Sequence, residues 1–280
     1  MPEKHTFLEP SIQQETIESL SAKLLSTMTQ LTETNQELQK MQMEKNEMLS
    51  NISHDLRAPI TAIRSAVDYL LSSDSLSFDD YQQSLHLIDR RTRTLENLIQ
   101  DMYYLFCVED TSKKLDLQPI DAVPFLEEYF YDTMIDTLYD HHNLHLELPQ
   151  DLHCTLNIDL QKIIRVLDNL FTNAVKYSAP GSDITLSATL SESYQQLTIS
   201  VSDNGFGIPQ SALPNIFNRT YTVSSSRTPN SNTGSGLGLA IVKAIVERHH
   251  GNVSCSSKEG VGSCFSFTLP CQQLPCPSNH

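Results

Sequence analysis

An uninterrupted helical pattern occupies the first part of the chain and limits the folds open to it. From Leu20 onward, apolar side chains recur at spacings of three and four residues, and seven of ten such positions are apolar. No glycine or proline interrupts this seam before Pro59. The repeat predicts a two-helix coiled coil over 16–48, preceded by a disordered tail over 1–15. Polar breaks in the seam suit a helix that must shift, and equally suit an imperfect coil. The ten positions are Leu20, Leu24, Thr27, Leu31, Thr34, Leu38, Met41, Lys45, Met48 and Ile52.

Two further apolar stripes predict a helical hairpin over 49–110. The first stripe continues to Leu70, and a serine-rich break follows at 72–77. Ser77 is a typical N-cap, with Asp79 and Asp80 in the first turn of the second helix. The second stripe then runs to Phe106. Because a hairpin with two broad apolar stripes cannot bury both alone, we expect a homodimer in which two hairpins form a four-helix bundle.

Mixed helical and strand periodicities begin near Leu115 and predict a second domain over 115–270, so the fold class is α+β. Alternating residues predict four strands, at Leu144–Leu148, Ile184–Leu190, Leu197–Val201 and Phe265–Leu269. Helical spacing predicts helices at Val123–Leu138, Leu160–Lys176 and Leu237–His249, the last ended by a cap at Gly251. A sheet with helices on one face is the economical arrangement of these elements. The polar segment 271–280 is expected to be a disordered tail.

Composition excludes several classes of protein. The net charge of −15 argues against nucleic-acid binding, which requires a basic surface. No apolar run reaches the roughly 18 residues that a transmembrane helix needs. The six cysteines form no C-x-x-C pair, which favours reduced thiols and a cytoplasmic location. A metal site is not favoured at the histidines in and around the first predicted strand, Leu144–Leu148, which lack cysteine ligand spacing. They are His141, His142, His145 and His153.

His54 faces away from the apolar side of its helix. Most such histidines are solvated surface residues. A neutral imidazole is nevertheless a competent nucleophile near pH 7, and the neighbouring Asp55 carboxylate suits the role of holding one ring N–H. Adjacent residues of a helix do not face each other squarely, so spacing alone does not secure this role. Pro59 removes a backbone hydrogen bond one turn later and is expected to bend the helix.

Three later segments contain the groups that a nucleotide site needs. Asn169, Asn173 and Lys176 lie on one face of a predicted helix, where carboxamide oxygens suit Mg²⁺ and the ammonium suits phosphate. Asp203 ends a strand and precedes two glycines that permit close backbone approach. A third glycine-rich segment opens a helix, whose N-terminal N–H groups favour phosphate. The alternatives are an ordinary amphipathic helix and an ordinary tight turn. The glycines are Gly205, Gly207, Gly234, Gly236 and Gly238.

In this order, these segments resemble the catalytic core of the two-component sensor histidine kinases, over about 41–270. S-H-D-L-R-A-P resembles the family's H box, which implies that His54 accepts a phosphoryl group and that Asp55 is its acidic helper. N-L-F-T-N-A-V-K-Y resembles the N box and implies Asn173 as the Mg²⁺ ligand. The family's ATP-binding domain is the α/β sandwich shared with gyrase, Hsp90 and MutL. The N box further implies nucleotide contacts from Asn169, Asn173, Lys176 and Tyr177.

Three glycine boxes and one lid segment complete the resemblance, and G-V-G-S-C-F at 260–265 resembles the terminal glycine box. D-N-G-F-G-I-P implies that Asp203 contacts adenine, and G-S-G-L-G-L-A resembles the second glycine box, beside the phosphates. The segment Ile216–Val223 resembles the F box, but Asn218 and Thr220 replace its usual acid and aromatic residue. The lid, about Phe217–Thr233, is therefore expected to close differently. Arg219 remains a candidate phosphate contact. Ala58 stands where relatives with phosphatase activity carry Thr or Asn, which puts that activity in doubt.

The resemblance implies an ATP- and Mg²⁺-dependent kinase that phosphorylates His54 and passes the phosphoryl group to an aspartate of a separate response regulator. Two alternatives remain open at the level of sequence. One is an ATPase of the shared fold that forms no phosphoprotein. The other is a phosphotransfer or scaffold dimer with a degenerate pocket. Nucleotide binding and His54-dependent labelling distinguish the three.

Overall fold

The structure is a computed structural model that describes residues 10–72, 76–110, 112–150, 152–192, 195–219, 221 and 236–273. Its Cα positions divide the chain into two compact units, Met1–His54 and Asp55–His280. Each unit is described by itself below. No helix within the described residues combines the length and the apolar character needed to cross a bilayer.

The first helix, α1, extends over Pro10–Ser72. Residues 10–15 are therefore helical, whereas the sequence predicted a disordered tail there. A proline is well tolerated at the start of a helix, because the first N–H groups have no helical acceptor. Within the first unit the seam residues from Leu20 to Met41 face solvent, whereas Ile52 is buried. Thr27 donates its hydroxyl to the Lys23 carbonyl at 2.8 Å. A coiled coil remains a prediction for this exposed seam.

The second helix, α2, extends over Phe78–Glu109. Ser77 is its N-cap, as predicted, and its hydroxyl oxygen accepts from the Asp80 N–H at 3.1 Å. Asp79 and Asp80 occupy the first turn, where the helix dipole stabilises negative charge. The turn predicted at 72–77 falls partly outside the described residues. Large apolar side chains of the hairpin remain exposed on both of its helices, so its surface is suited to a further partner.

The second unit contains seven strands: β1 Gln118–Asp121, β2 Asn143–Glu147, β3 Cys154–Ile158, β4 Asp183–Leu190, β5 Gln196–Asp203, β6 Val253–Lys258 and β7 Gly262–Gln273. They form one sheet in the order β1-β3-β7-β5-β4-β2, and β6 pairs with β7 on the edge opposite to β5. The four predicted strands are present as β2, β4, β5 and β7. The sequence missed the other three. The last strand reaches Gln273, because its end pairs with β3, so the prediction of a tail from Cys271 was wrong for three residues.

Three helices pack on the sheet: α3 Ala122–Met134, α4 Leu160–Lys176 and α5 Gly238–Arg248. The α4 range matches the prediction. Helix α3 ends earlier than predicted, because Asp136 is extended and its carboxylate caps a short 3-10 turn at Thr137–Tyr139. Alternate residues of the central strands and one face of each helix form the core. Its largest fully buried side chains include Phe171, Phe267, Leu126, Ile163, Leu167, Leu170, Ile184, Leu186 and Leu197.

The end of α5 differs in detail from the predicted glycine cap. His250, not Gly251, has the left-handed conformation, with φ of 61°. Gly251 still takes part, because its N–H donates to the Val246 carbonyl at 2.9 Å. A Cβ at Gly251 would lie 1.8 Å from the Thr268 carbonyl oxygen. Glycine is therefore required here by close packing against β7.

Candidate functional site

The start of α4 is fixed by a buried polar cluster. Asp159 is its N-cap, and its carboxylate accepts from the Lys162 ammonium at 2.6 Å and from the Asp116 N–H at 3.2 Å. Burial alone would raise the pKa of Asp159, but these hydrogen bonds and the Lys162 charge bring it below the ordinary value. The Asp159 N–H donates to His249 Nε2 at 3.0 Å, at the end of α5. The cluster therefore sets the relative placement of the two helices.

The predicted N-box residues follow one face of α4. Asn169 and Asn173 are half-buried, and Asn169 Nδ2 donates to the Arg165 carbonyl at 2.8 Å. Lys176 is the last helical residue, and Tyr177 is the C-cap. The Lys176 ammonium lies 4.9 Å from the centroid of the Tyr177 ring, whose side chain is half-exposed. Amide oxygens, an ammonium and an aromatic face are thus presented along one edge.

Asp203 closes β5 and meets the end of α4 through Gly205. Its carboxylate oxygen Oδ1 accepts from the Gly205 N–H at 2.9 Å. Burial raises the pKa of Asp203, although backbone N–H groups of Gly205 and Ser263 act in the opposite direction. A Cβ at Gly205 would lie 2.4 Å from the Tyr177 carbonyl oxygen, so no larger residue fits between the two segments.

The remaining glycines allow similarly close contacts. Gly207 has φ of 69°, and its Cβ would lie 2.2 Å from the Lys258 carbonyl oxygen. Gly236 has φ of 65°, just before α5. Gly238 opens α5, and a Cβ there would lie 2.8 Å from Asn169 Oδ1. The start of α5 is therefore in contact with the N-box face of α4. Gly234 lies outside the described residues.

Five of the predicted nucleotide residues therefore meet in two groups along α4, one at the end of β5 and one at the start of α5. The contacts that join them run from Tyr177 to Gly205, from Gly205 to Asp203 and from Asn169 to Gly238. The predicted phosphoacceptor His54 belongs to the first unit, where its side chain is exposed on α1. Asp55 is the first residue of the second unit and is half-buried.

The predicted phosphate contact, Arg219, forms an ion pair with the Glu109 carboxylate at the end of α2. Arg248 of α5 donates to the carbonyl of Val108 at 2.8 Å and to that of Lys113. Two arginines of the sheet-containing domain thus hold the same end of α2. Nothing in the sequence pattern indicated these contacts, because their partners are more than a hundred residues apart.

A third arginine contact, also missed from sequence, joins α4 to the middle of α2. The Arg165 guanidinium donates to Asp101 Oδ1 at 2.7 Å and lies 5.7 Å from the Tyr104 ring centroid. A cavity of about 270 Å³ lies beside this pair. Its lining includes Asn169 but neither Asp203 nor any of the predicted glycines, so the cavity belongs to the α2–α4 junction. Its lining residues are Asn97, Gln100, Asp101, Arg165, Asp168, Asn169 and Thr172.

Two family models match the chain in the order of its domains. The first describes a "His Kinase A (phospho-acceptor) domain" and matches residues 44–110. The second describes a "Histidine kinase-, DNA gyrase B-, and HSP90-like ATPase" and matches residues 158–273. The chain carries a two-component sensor histidine kinase core. Together with the helices and the sheet described above, these matches confirm the α+β fold class predicted from the sequence.

Relatives of this histidine kinase core include WalK proteins. Sensor histidine kinase WalK of Bacillus subtilis is 35% identical over 235 residues, which cover 84% of this chain and 38% of that protein. Sensor protein kinase WalK of Staphylococcus aureus is 30% identical over 245 residues, which cover 85% of this chain and 56% of that protein. The chain thus spans less than two thirds of the curated relatives that it matches.

Solved structures with a similar fold are also histidine kinases. The Acinetobacter baumannii histidine kinase AdeS superposes with a TM-score of 0.57 at 21% identity, covering 78% of this chain and 97% of that one. Histidine kinase ThkA was solved in complex with the response regulator protein TrrA. It superposes with a TM-score of 0.60 at 22% identity, and the match covers 80% of this chain and 61% of that one. At these identities the comparison concerns the fold alone.

Proposed function

We propose that the chain is an ATP-dependent histidine kinase that phosphorylates itself on His54 and transfers the phosphoryl group to an aspartate of a separate response regulator. The observation that carries the proposal is that one helix, α4, contacts both glycine boxes: Asn169 lies against Gly238, and the other end of the helix meets Asp203 through Gly205. We further propose that it acts as a homodimer in the cytoplasm.

Adenine recognition is assigned to Asp203. Its carboxylate lies at the end of β5 and accepts from the Gly205 N–H, and the absence of a Cβ at Gly205 lets this segment pack against the Tyr177 carbonyl. A carboxylate accepts a hydrogen bond from an exocyclic amino group, which distinguishes adenine from guanine at that position. Lys176 supplies a positive charge for phosphate oxygens, which the overall negative charge of the chain would otherwise repel.

The N-box carboxamides fit a magnesium ion. Asn169 Nδ2 is engaged by the Arg165 carbonyl, so that its Oδ1 is the atom that faces Gly238. Asn173 follows one turn later on the same face and is the predicted ligand. Carboxamide oxygens are ligands that Mg²⁺ accepts while it keeps several waters. When bound with ATP, the ion neutralises charge on the phosphate oxygens.

The phosphoacceptor step requires an accessible, neutral imidazole. One ring nitrogen of His54 attacks the γ-phosphorus in line, a P–N bond forms, and the P–O bond to ADP breaks. The proton on the other ring nitrogen is the one that Asp55 is proposed to hold. In the second step the receiver aspartate attacks the same phosphorus, and the imidazole leaves.

Labelling with γ-labelled ATP tests the assignment. Wild type should acquire acid-labile, alkali-stable label, and His54→Gln should acquire none. The matched control is His86→Gln, which removes an exposed histidine of α2 and should label like wild type. Persistent label of this kind in His54→Gln would exclude His54 as the acceptor.

Nucleotide binding separates the proposal from the scaffold alternative. We expect Asp203→Ala to weaken Mg·ATP binding by at least tenfold, since a buried hydrogen bond to adenine is lost. Calorimetric titration measures this directly. A scaffold with a degenerate pocket predicts no Mg²⁺-dependent binding in wild type. An ATPase of the shared fold predicts binding and hydrolysis without phosphoprotein.

A further inference from the structure

Helix α3 exposes an apolar surface on the side opposite to its core face. The inner face buries Phe125, Leu126 and Phe130. The outer side exposes four large apolar side chains, which we call the Tyr131 stripe: Tyr131 at 61%, Met134 at 52%, Ile135 at 82% and Leu138 at 50% exposure. Tyr131, Met134 and Ile135 have helical i, i+3, i+4 spacing, and Leu138 follows in the 3-10 turn.

The stripe is concentrated in one place. In the described part of 115–270, eight large apolar side chains are exposed, and four of them form this stripe. Two others, Tyr177 and Phe206, adjoin the proposed nucleotide cleft. Within α4 and α5, no large apolar side chain is among the exposed ones. Clustered exposed apolar residues mark interaction surfaces, whereas scattered ones need no explanation.

One member of the stripe is held in place before any partner binds. The Tyr131 ring stands edge-on to the buried Phe130 ring, with centroids 6.0 Å apart and planes at 72°. Such an aromatic pair restricts the exposed ring, so less side-chain entropy is lost on binding. Aromatic residues ordered in this way commonly anchor protein interfaces.

The charge around the stripe is negative only. Residues 115–161 contain ten Asp and Glu and no Lys or Arg. Glu127, Glu128, Asp132 and Asp136 are exposed beside or between members of the stripe. A second copy of this chain would present the same acids, and an anionic lipid surface would also be repelled. Charge complementarity therefore selects a partner whose rim is basic.

We propose that the Tyr131 stripe docks a partner protein through an amphipathic helix that has an apolar face bordered by Lys and Arg. The apolar face covers Tyr131, Ile135 and their neighbours, while the basic rim pairs with the surrounding acids. The surface lies on α3, and it uses none of the residues assigned above to nucleotide binding or to phosphoryl transfer. It therefore goes beyond the proposed kinase activity.

A designed helical peptide probes the surface. It has about 18 residues, or five helical turns, with leucines along one face and lysines elsewhere. Fluorescence anisotropy with the full chain should give a Kd about tenfold weaker for Ile135→Ser than for wild type, because the most exposed anchor is lost at unchanged net charge. The matched control is Leu117→Ser, which removes an exposed apolar side chain outside the stripe. It should bind like wild type.

A second pair of variants tests the charge. Asp132→Asn should weaken binding more than Glu192→Gln, which removes the same charge in the turn between β4 and β5. Equal binding to Ile135→Ser and wild type would overturn the proposal, as would equal binding of a peptide with glutamate in place of lysine. A lower molecular mass in solution for Ile135→Ser than for wild type would also overturn it, because the stripe would then join two copies of this chain. Autophosphorylation of Ile135→Ser should equal that of wild type, which separates this test from that of the kinase activity.

Discussion

At Gly238, helix stability favours alanine, whereas the contact with Asn169 in the proposed site requires glycine. A Cβ there would lie 2.8 Å from Asn169 Oδ1, which is closer than real Cβ contacts allow. The helix itself tolerates alanine, which is the better helix former by up to about 1 kcal/mol. We therefore expect Gly238→Ala to leave the melting temperature within a few degrees of wild type. Mg·ATP affinity should fall about tenfold as Asn169 is displaced, measured by calorimetric titration.

A double-mutant cycle checks the cause of that loss. If Gly238→Ala acts through Asn169, adding it to Asn169→Ala should weaken ATP binding little further. Fully additive losses would show that the alanine acts by another route. An unchanged affinity in the single variant would remove Gly238 from the site.

His249 should make the stability of the sheet-containing domain depend on pH. Burial lowers the pKa of His249, and the positive charges of Lys162 and Arg248 act in the same direction. The hydrogen bond to the Ile245 carbonyl and the negative charge of Asp159 act in the opposite direction. The unfolded chain binds a proton near pH 6.5, whereas the folded chain resists it. The free energy of unfolding should therefore fall as pH decreases below about 6.5.

Urea unfolding at pH 7 and pH 5 measures this slope. His249→Gln should be less stable at pH 7, because the Asp159 N–H loses a well-placed acceptor, and its slope between the two pH values should be smaller. The exposed His86 provides the control, and His86→Gln should retain the wild-type slope. An unchanged slope in His249→Gln would contradict the assignment.

Individual elements differ in how far local sequence determines them. Helix α4 was predicted to the residue, because Asp159 caps its start and its apolar face has helical spacing throughout. Strand β6 was missed, since V-S-C-S-S-K has little apolar alternation and becomes a strand only through pairing with β7. The proposed nucleotide residues could be named from the sequence because they lie in short motifs. The ion pair between Arg165 and Asp101 could not be predicted, because the two residues lie 64 positions apart in the sequence.

The α2–α4 junction depends on that ion pair. The Asp101 carboxylate is 17% exposed, and its Arg165 partner is 41% exposed. Removing a mostly buried acceptor leaves the guanidinium poorly paired, so Asp101→Ala should lower the free energy of unfolding by about 1–2 kcal/mol. Chemical denaturation measures the change, and hydrogen exchange should increase at the end of α2.

A second ion pair on the same helix supplies the control. Arg93 and Asp89 are 3.0 Å apart but 74% and 61% exposed. Asp89→Ala should therefore lower the free energy of unfolding by less than about 0.5 kcal/mol. Equal effects of the two variants would show that burial of the Asp101 pair does not contribute to stability.

The whole molecule combines a strongly negative charge with an apolar helical hairpin. The charge of −15 disfavours association in general. The second unit nevertheless exposes Phe78, Tyr81 and Leu85 along α2, at 73%, 48% and 44%. Only burial of such a stripe against a matching one offsets the repulsion, which favours two copies of the hairpin in one bundle.

Sedimentation equilibrium tests this at the scale of the assembly. Wild type, with a chain mass of 31.5 kDa, should sediment at twice that mass at micromolar concentration. Leu85→Asp places a charge within the stripe and should sediment as the single chain, because the cost of burying an unpaired carboxylate exceeds the gain from one apolar contact. Gln83→Asp adds the same charge on the opposite side of α2 and should remain dimeric. A monomeric wild type, or a Leu85→Asp variant as dimeric as Gln83→Asp, would mean that the exposed hairpin face is not where two copies meet.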